Sequence, residues 1–275
     1  MTAPSTDLRE EIRRALRSPF LPAAIDRLAS VEGYLDVVWP RVQSSVETAG
    51  FLGSALYMTD MALDAVEQVY EPVMPRDALV EAGLAEGDLD ALGEVIDVFH
   101  YVQPQVLLVV AALAEAMGRP EVGGYGKPDP RPLSEREERH LATAIPEASE
   151  DTPPLPEVRE ALGLASTPGL YRAVAAWPGY LGVAWEELQH LAAYPDFRRR
   201  GRGLYYYARS GARFLAEPLR ADPDALREAG LDDATIEAAR AALDESLPAI
   251  AMMMMHAEAM RLGLGIADRE VVKKE

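Results

Sequence analysis

The stretch that decides the fold reads Trp177-Pro178-Gly179-Tyr180-Leu181-Gly182-Val183-Ala184-Trp185-Glu186-Glu187-Leu188, and it repeats a pattern used earlier in the chain. The earlier copy reads Val31-Glu32-Gly33-Tyr34-Leu35-Asp36-Val37-Val38-Trp39-Pro40. The Gly, Tyr, Leu, Val and Trp of the two copies agree at a constant offset of 146 residues (180 minus 34). One such match could arise by chance, so its weight depends on whether the register continues.

The register does continue, because three further blocks repeat in the same order. They are Ala55–Tyr57 with Gly203–Tyr205 (offset 148), Asp77–Leu84 with Asp224–Leu231 (offset 147) and Ala114–Met117 with Ala257–Met260 (offset 143). An ordered series of slowly drifting offsets is what a tandem duplication leaves after small insertions. The period is far longer than the roughly 20 to 50 residues of a solenoid repeat. We therefore predict two domain-sized repeats packed about a pseudo-twofold axis.

The composition is that of a globular protein with an acidic surface. The chain has 275 residues, 49% of them hydrophobic, which is enough for one large core shared by two repeats. Its 45 acidic and 27 basic residues give a net charge of -18, which repels nucleic acid and anionic membranes. Lys is rare and Asn is missing. This composition predicts an acidic halophilic protein, because salt screens the repulsion between carboxylates; a high-GC coding bias is the alternative explanation.

Several classes of chemistry lack their sequence signals. The chain contains no cysteine, which excludes disulfides, zinc-thiolate sites, Fe–S clusters and cysteine nucleophiles. A Gly-rich phosphate loop, a Gly-x-Ser-x-Gly elbow and a His-Glu-x-x-His helix are all missing. The first residues are polar, and no run approaches the roughly 18 apolar residues of a membrane span. We therefore expect a soluble cytoplasmic protein with no metal and no cofactor.

Apolar residues recur at helical spacing through both repeats, and no alternating β pattern of useful length occurs. We predict an all-α fold with a first repeat over residues 1–118 and a second over 157–275, forming one compact pseudo-dimeric unit. A Pro-rich linker over 119–156 joins them, with one candidate helix at Ser134–Thr143. Pro104 and Pro248 are each expected to open a new helix.

Trp39 and Trp185 occupy equivalent positions in the two repeats. Paired core aromatics are the simpler interpretation, and the wall of a pocket between the repeats is the alternative. Glu186 follows Trp185, whereas its counterpart is Pro40, which cannot ionise. A carboxylate beside a Trp near a buried interface can gain the basicity of a general base. The alternative for Glu186 is a solvated charge beside Glu187.

The histidines and one basic cluster are the other polar candidates. His190 lies four residues after Glu186, which gives half a metal site at most, or simply an i,i+4 charge pair. His100 and His256 are expected to be hydrogen-bonded core residues rather than ligands. Arg198–Arg202 with Tyr205–Tyr207 could seat a small carboxylate, although a helix face bridging to neighbouring acids is the simpler interpretation.

These features together resemble the group I 2-haloacid dehalogenases, an all-helical family that acts on both D- and L-2-haloacids. The resemblance spans nearly the whole chain, and the motifs that carry it are Ser18-Pro19-Phe20, Gly33-Tyr34-Leu35 with Trp39, Ala82-Gly83-Leu84, Phe99-His100-Tyr101-Val102-Gln103-Pro104, Leu107-Leu108, Ala112-Leu113, Met117, Trp177-Pro178 and His256-x-Glu258.

The resemblance implies an active site between the repeats, where a carboxylate activates a water that displaces halide from Cα with inversion. The catalytic Asp of the family aligns with Glu186 here, whose longer side chain moves the carboxylate by about 1 Å. The family also uses an Asn, which the corresponding stretch Phe197–Arg200 lacks. Of the aromatics that line the family pocket, one aligns with Phe20, and two are replaced by Ala23 and Leu243.

The predicted function is hydrolysis of a small 2-haloacid, with Glu186 as the general base and a small carboxylic acid as the partner; self-association is left open. The substrate is predicted to contact Phe20, Trp39, Trp185, Tyr205, Leu243 and Leu247. Two alternatives remain. One is a helical binding or scaffold protein that has lost dehalogenation, and the other is a different reaction on a small carboxylic acid in the same cleft.

Overall fold

The computed structural model describes residues 6–271, which form α-helices and one short 3₁₀ helix without a β-strand. The helices are α1 (Thr6–Ala15), α2 (Ala23–Ala29), α3 (Tyr34–Val46), α4 (Ala49–Glu67), α5 (Arg76–Glu81), α6 (Glu86–Ala116), α7 (Glu135–Ala142), α8 (Leu155–Leu162), α9 (Gly169–Val174), α10 (Pro178–Ala193), α11 (Pro195–Gly211), α12 (Pro223–Glu228) and α13 (Asp233–Gly263); the 3₁₀ turn covers Ala212–Phe214. The all-α prediction is confirmed.

The stretch around Trp185 and its earlier copy form two matching helices, α10 and α3. Gly33 precedes α3 with a φ of 72°, a left-handed conformation that a side chain would strain. Pro178 opens α10 at its first turn, where the missing N–H costs no hydrogen bond. Trp39 and Trp185 are buried, with 1% and 4% exposure, so each helix directs its Trp into the core.

The two longest helices contradict the prediction that Pro104 and Pro248 each start a new helix. Both prolines lie inside continuous helices of 31 residues, α6 and α13. Pro104 cannot donate to the carbonyl four residues before it, but the Gln105 side chain donates to the neighbouring carbonyl of Tyr101 at 2.9 Å. Burial of nearly every residue of α6 from Val95 to Ala116 outweighs the local preference, because packing stabilises more than propensity does.

α6 and α13 pack along each other at the centre, with α4 and α11 beside them. By length and composition α6 could cross a membrane, but 89% of its most apolar window is buried inside the protein, as expected of a core helix. The hydrophobic core is continuous from Leu8 to Leu264 and includes residues of both predicted repeats. We call the contact between these two helices the α6–α13 seam.

The helix order of α1–α6 recurs in α8–α13, with α7 between the two sets. The tight turns after α5 and α12 also match: Gly83 has a φ of 98° and Gly230 a φ of 97°. Leu84 N donates to Leu79 O, and Leu231 N donates to Leu226 O, each at 3.1 Å. α8 begins at the end of the predicted linker and lies mostly in the predicted second repeat, where no helix was expected before Pro168.

The segment between the two helix sets is anchored to both of them. α7 begins with a capping box in which Ser134 and Glu137 satisfy each other's backbone N–H groups, as the predicted candidate helix requires. Arg131 is buried and donates to Ala15 O at 3.0 Å and to Gln105 Oε1 at 3.1 Å. Gly126 lies so close to the Phe214 carbonyl that a Cβ would be 2.0 Å from its oxygen, so only glycine fits there.

Candidate active site beside α10

An open groove of about 700 Å³ separates α10 from the segment that follows α4. Val69–Met74 form one wall, and α10 forms the other with Val183, Glu186, Glu187 and His190. The first wall belongs to the first predicted repeat and the second wall to the second. The groove is therefore a cavity at the border of the two halves with two carboxylates and an imidazole along one side.

Glu187 joins the two walls of this groove. Its Oε2 accepts hydrogen bonds from Tyr70 OH at 2.6 Å and from Val73 N at 3.2 Å, and its Oε1 accepts one from Met74 N at 3.0 Å. Burial and the adjacent Glu187 raise the pKa of Tyr70, so the phenol stays a donor. Three donors hold the Glu187 carboxylate in one orientation.

A void of about 10 Å³ lies below the groove, between Tyr70, Tyr180, Glu187 and Met260. This volume is at the lower limit for one water molecule. Burial and the charge of Glu187 raise the pKa of Tyr180. The polar atoms around the void are suited to a water, and its size excludes a substrate.

Glu186 lies on the rim of the groove and is exposed, so the prediction that it occupies a closed seam between the repeats is wrong. Trp185 and Leu188 form the buried stripe of α10, and the next residue on a helix is rotated by about 100° from that stripe. Within residues 6–271, its carboxylate forms no ion pair with His190. Glu186 is thus a hydrated carboxylate that faces open space.

The six side chains predicted to contact the substrate do not surround Glu186, because none of them lines the groove or the void. Phe20 packs on Phe99 with ring centroids 4.9 Å apart, and Trp185 packs edge-on against Tyr171 at 5.7 Å. Tyr205 lies under Arg209, at 5.4 Å from the guanidinium carbon. Trp39, Leu243 and Leu247 are buried in the core. The prediction that these six side chains form a cleft around Glu186 is therefore wrong, because Glu186 borders a groove with different walls.

Tyr70 and Glu187 line the groove, and the sequence did not predict a role for either of them in the site. Glu187 shares one face of α10 with Val183 and Leu191, which is the spacing of a helix face. Pro72 and Pro75 remove backbone donors from the opposite wall, so its remaining N–H groups need a partner. The chain gives no local signal that this partner comes from a residue more than 100 positions away.

The two core histidines are hydrogen-bonded, as predicted. Burial alone would lower the pKa of His100, but the charge of Glu258 and hydrogen bonds to Glu258 and Glu270 raise it, so His100 is protonated. His256 is fully buried, and its Nδ1 lies 2.6 Å from Tyr171 OH. Burial lowers the pKa of His256 to about 3, which keeps this imidazole neutral.

The depressed pKa of His256 predicts a loss of stability in acid. In the unfolded state the imidazole of His256 has its ordinary pKa of 6.5, whereas in the folded state its pKa is about 3. The loss in the free energy of unfolding is therefore absent above pH 6.5, and it grows by about 1.4 kcal/mol per pH unit as the pH falls from there towards 3. Urea titrations at several pH values should show a shallower acid slope for His256→Gln than for the wild type. Equal slopes would contradict the assignment.

The basic and aromatic cluster on α11 is paired with protein groups, as its simpler interpretation predicts. Arg200 bonds Asp196 at 3.3 Å and Gln68 at 2.7 Å, Arg199 pairs with Asp196, and Arg198 donates to Ala192 O at 2.7 Å. Among the described residues, no group of three or more His, Asp or Glu side chains is placed to hold a metal ion. The groove beside α10 remains the place where charged side chains and open space meet.

Comparison with known proteins identifies the family. The family model described as halocarboxylic acid dehydrogenase DehI matches residues 19–162. The chain belongs to this DehI family. Its match covers α2 to α8, including the Val69–Met74 wall of the groove, and ends before α10.

Curated DehI-like relatives are 2-haloacid dehalogenases. A configuration-inverting 2-haloacid dehalogenase of Pseudomonas sp. (strain 113) is 28% identical over 193 residues, covering 66% of this chain and 61% of the relative. One from Alcaligenes xylosoxydans xylosoxydans is 29% identical over 119 residues, covering 42% and 38%. The (R)-2-haloacid dehalogenase of Pseudomonas putida is 21% identical over 243 residues, covering 83% and 78%. The matches thus span about 61% and 38% of the two configuration-inverting relatives.

Solved structures share the fold over nearly the whole chain. A D-2-haloacid dehalogenase mutant in complex with D-2-CPA superposes with a TM-score of 0.82 at 17% identity, covering 96% of this chain and 93% of that one. The D-2-haloacid dehalogenase complex with L-LA gives 0.82 at 19% identity, covering 96% and 94%. These likenesses establish that the DehI-family chain keeps its helical architecture through the second helix set.

Proposed function

We propose that the protein hydrolyses small 2-haloacids by direct attack of water on Cα. Membership of the DehI family carries this proposal, together with the dehalogenase descriptions of its curated relatives. In the reaction a water oxygen forms a bond to Cα while the carbon–halogen bond breaks. The halide leaves with the bonding electron pair, and the water proton passes to a carboxylate. A single displacement inverts the carbon, which agrees with the configuration-inverting relatives.

We place the reaction in the groove beside α10, with Glu186 as the proton acceptor. Glu187 already accepts three hydrogen bonds, whereas Glu186 faces the groove without a partner in the described chain. His190 lies one turn further along the same wall and offers N–H donors to the substrate carboxylate.

Single-turnover labelling tests this function. With protein in excess over 2-chloropropionate in ¹⁸O-labelled water, we expect halide release and one ¹⁸O atom in the 2-hydroxy acid of the first turnover. Unlabelled product would mean that a protein carboxylate attacked first, which contradicts direct hydrolysis. Halide release equal to that of heat-denatured protein, with both enantiomers, would contradict dehalogenation and leave a helical binding or scaffold protein.

A further inference from the structure

A buried and a half-buried basic side chain hold the carboxylate of Glu270, which follows α13. Arg136 of α7 contacts this carboxylate through Nη1, which lies 2.7 Å from Oε1 and 2.8 Å from Oε2. Nε2 of His100, on α6, lies 2.7 Å from Oε1. The side chain of His100 is 1% exposed and that of Glu270 is 14% exposed. We call this site the Glu270 pocket; it lies apart from the groove beside α10.

Asp97 supports the pocket from the other side of Arg136. Its two oxygens accept hydrogen bonds from Arg136 Nη2 at 2.8 Å and Nε at 3.2 Å. His140 Nε2 lies 2.8 Å from the same carboxylate, and Arg261 Nη2 lies 3.7 Å away. Arg136 is therefore held in one orientation by Asp97, with Nη1 directed at the pocket.

Glu258 orients the imidazole of His100 in the same way. It accepts a hydrogen bond from His100 Nδ1 and one from Arg261 Nη1 at 3.1 Å, so Nε2 of His100 is directed at the pocket as a donor. Arg261 Nη1 also lies 2.8 Å from His100 Nδ1. Around the pocket, Arg136, Arg261 and His100 thus face the carboxylates of Asp97 and Glu258, while Asp60 accepts from the backbone of Glu270. The Glu270 carboxylate is the group that contacts both Arg136 and His100.

Glu270 reaches the pocket from a surface segment that is held by a few polar contacts. The backbone N–H groups of Glu270 and Val271 donate to Asp60 at 2.7 and 2.8 Å. Arg269 pairs with Asp64 at 2.5 Å and with Glu67 at 2.6 Å. Ion pairs as exposed as these contribute little to stability. The pocket is thus built into α6, α7 and α13, whereas the group that fills it arrives on a loosely attached segment.

We infer that Arg136 and His100 form a binding site for a small carboxylate, which Glu270 occupies from within the chain. Arg136 Nη1 lies within hydrogen-bonding distance of both carboxylate oxygens, and His100 Nε2 contacts one of them, so the two side chains present donors to a carboxylate. A small monocarboxylate such as acetate presents the same atoms as the end of the Glu270 side chain. Removal of Glu270 leaves these two donors without an acceptor, which a free monocarboxylate then supplies.

Rescue of Glu270→Ala by acetate tests this inference. We expect this variant to melt below the wild type and to regain about 3 to 5 °C in 100 mM sodium acetate relative to 100 mM sodium chloride, since a ligand that binds only the folded state raises its melting temperature. The wild type, with its pocket filled, should show no difference between the two salts. If Glu270→Ala does not fold, the salts are compared during refolding, where recovery in acetate alone is expected.

Three matched variants decide the result. Glu270→Gln fills the pocket with a neutral amide and should not respond to acetate. Asp268→Ala removes an exposed acid of the same segment and should behave like the wild type. Adding Arg136→Met to Glu270→Ala should abolish the rescue. An acetate response of equal size in Asp268→Ala, or one that survives Arg136→Met, or no response of Glu270→Ala in melting or refolding, would overturn the inference.

Discussion

Replacing Glu258 with Gln is expected to lower the free energy of unfolding by about 3 to 5 kcal/mol, the range for breaking a buried ion pair. Glu258 is 1% exposed and accepts hydrogen bonds from His100 Nδ1 and Arg261 Nη1. The amide keeps the shape of the side chain but removes its charge and turns donors towards donors. Two cations are then left in the centre of the α6–α13 seam with one carboxylate fewer.

Urea unfolding at neutral pH measures this loss, and Glu10→Gln is the matched control. Glu10 pairs with Arg13 and Arg14 on the surface, where its side chain is 41% exposed, so the same substitution there should cost less than about 1 kcal/mol. A loss for Glu258→Gln no greater than that for Glu10→Gln would show that the seam does not depend on this carboxylate.

The pH dependence gives a second check on the same pair. Glu258 and Glu270 raise the pKa of His100 in the folded state, so the stability that His100 contributes is fully present below its unfolded value near 6.5. It is lost as the pH rises through the raised folded value. The difference between wild type and Glu258→Gln should therefore shrink at alkaline pH, because a deprotonated His100 no longer needs the carboxylate.

Local patterns were sufficient to predict most of the helices. In α3, for example, the buried Leu35, Val38 and Val42 follow helical spacing, and Gly33 marks the start of the helix. The same reasoning failed at Pro104, because the sequence does not reveal that packing in the core holds α6 continuous through the proline. The matched helix order agrees with a tandem duplication and with two repeats joined by the 119–156 segment, and both remain predictions from the sequence.

The candidate site was harder to predict, because its geometry depends on contacts between distant residues. Periodicity places Trp185 in the core, and Glu186 must then turn outward; the sequence reading gave more weight to the adjacent Trp than to this rotation. Glu187 gained its role through Tyr70 and the 73–74 backbone, which no local pattern links to α10. The Glu270 pocket likewise joins residues from three separate helices and a terminal segment.

Replacing Glu186 with Gln is expected to lower kcat/KM for 2-chloropropionate by about 100-fold, the lower end of what a general base contributes. The amide keeps the side chain in the groove but cannot accept the water proton. Because Glu186 is exposed and supports no other group, the Glu186→Gln variant should have the melting temperature of the wild type. Halide release under saturating and subsaturating substrate separates the effect on kcat from that on KM.

Glu187→Gln is the matched control, since it makes the same change one position along α10 with a different expected result. The amide loses acceptors for Tyr70, Val73 and Met74, so the groove wall should loosen, and stability should fall by about 1 to 3 kcal/mol. The reaction should be affected through KM more than kcat, because the wall and not the proton acceptor is disturbed. The opposite result would be full activity of Glu186→Gln together with loss of kcat in a folded Glu187→Gln. It would move the general base to position 187, where the water proton competes with three hydrogen bonds for the carboxylate.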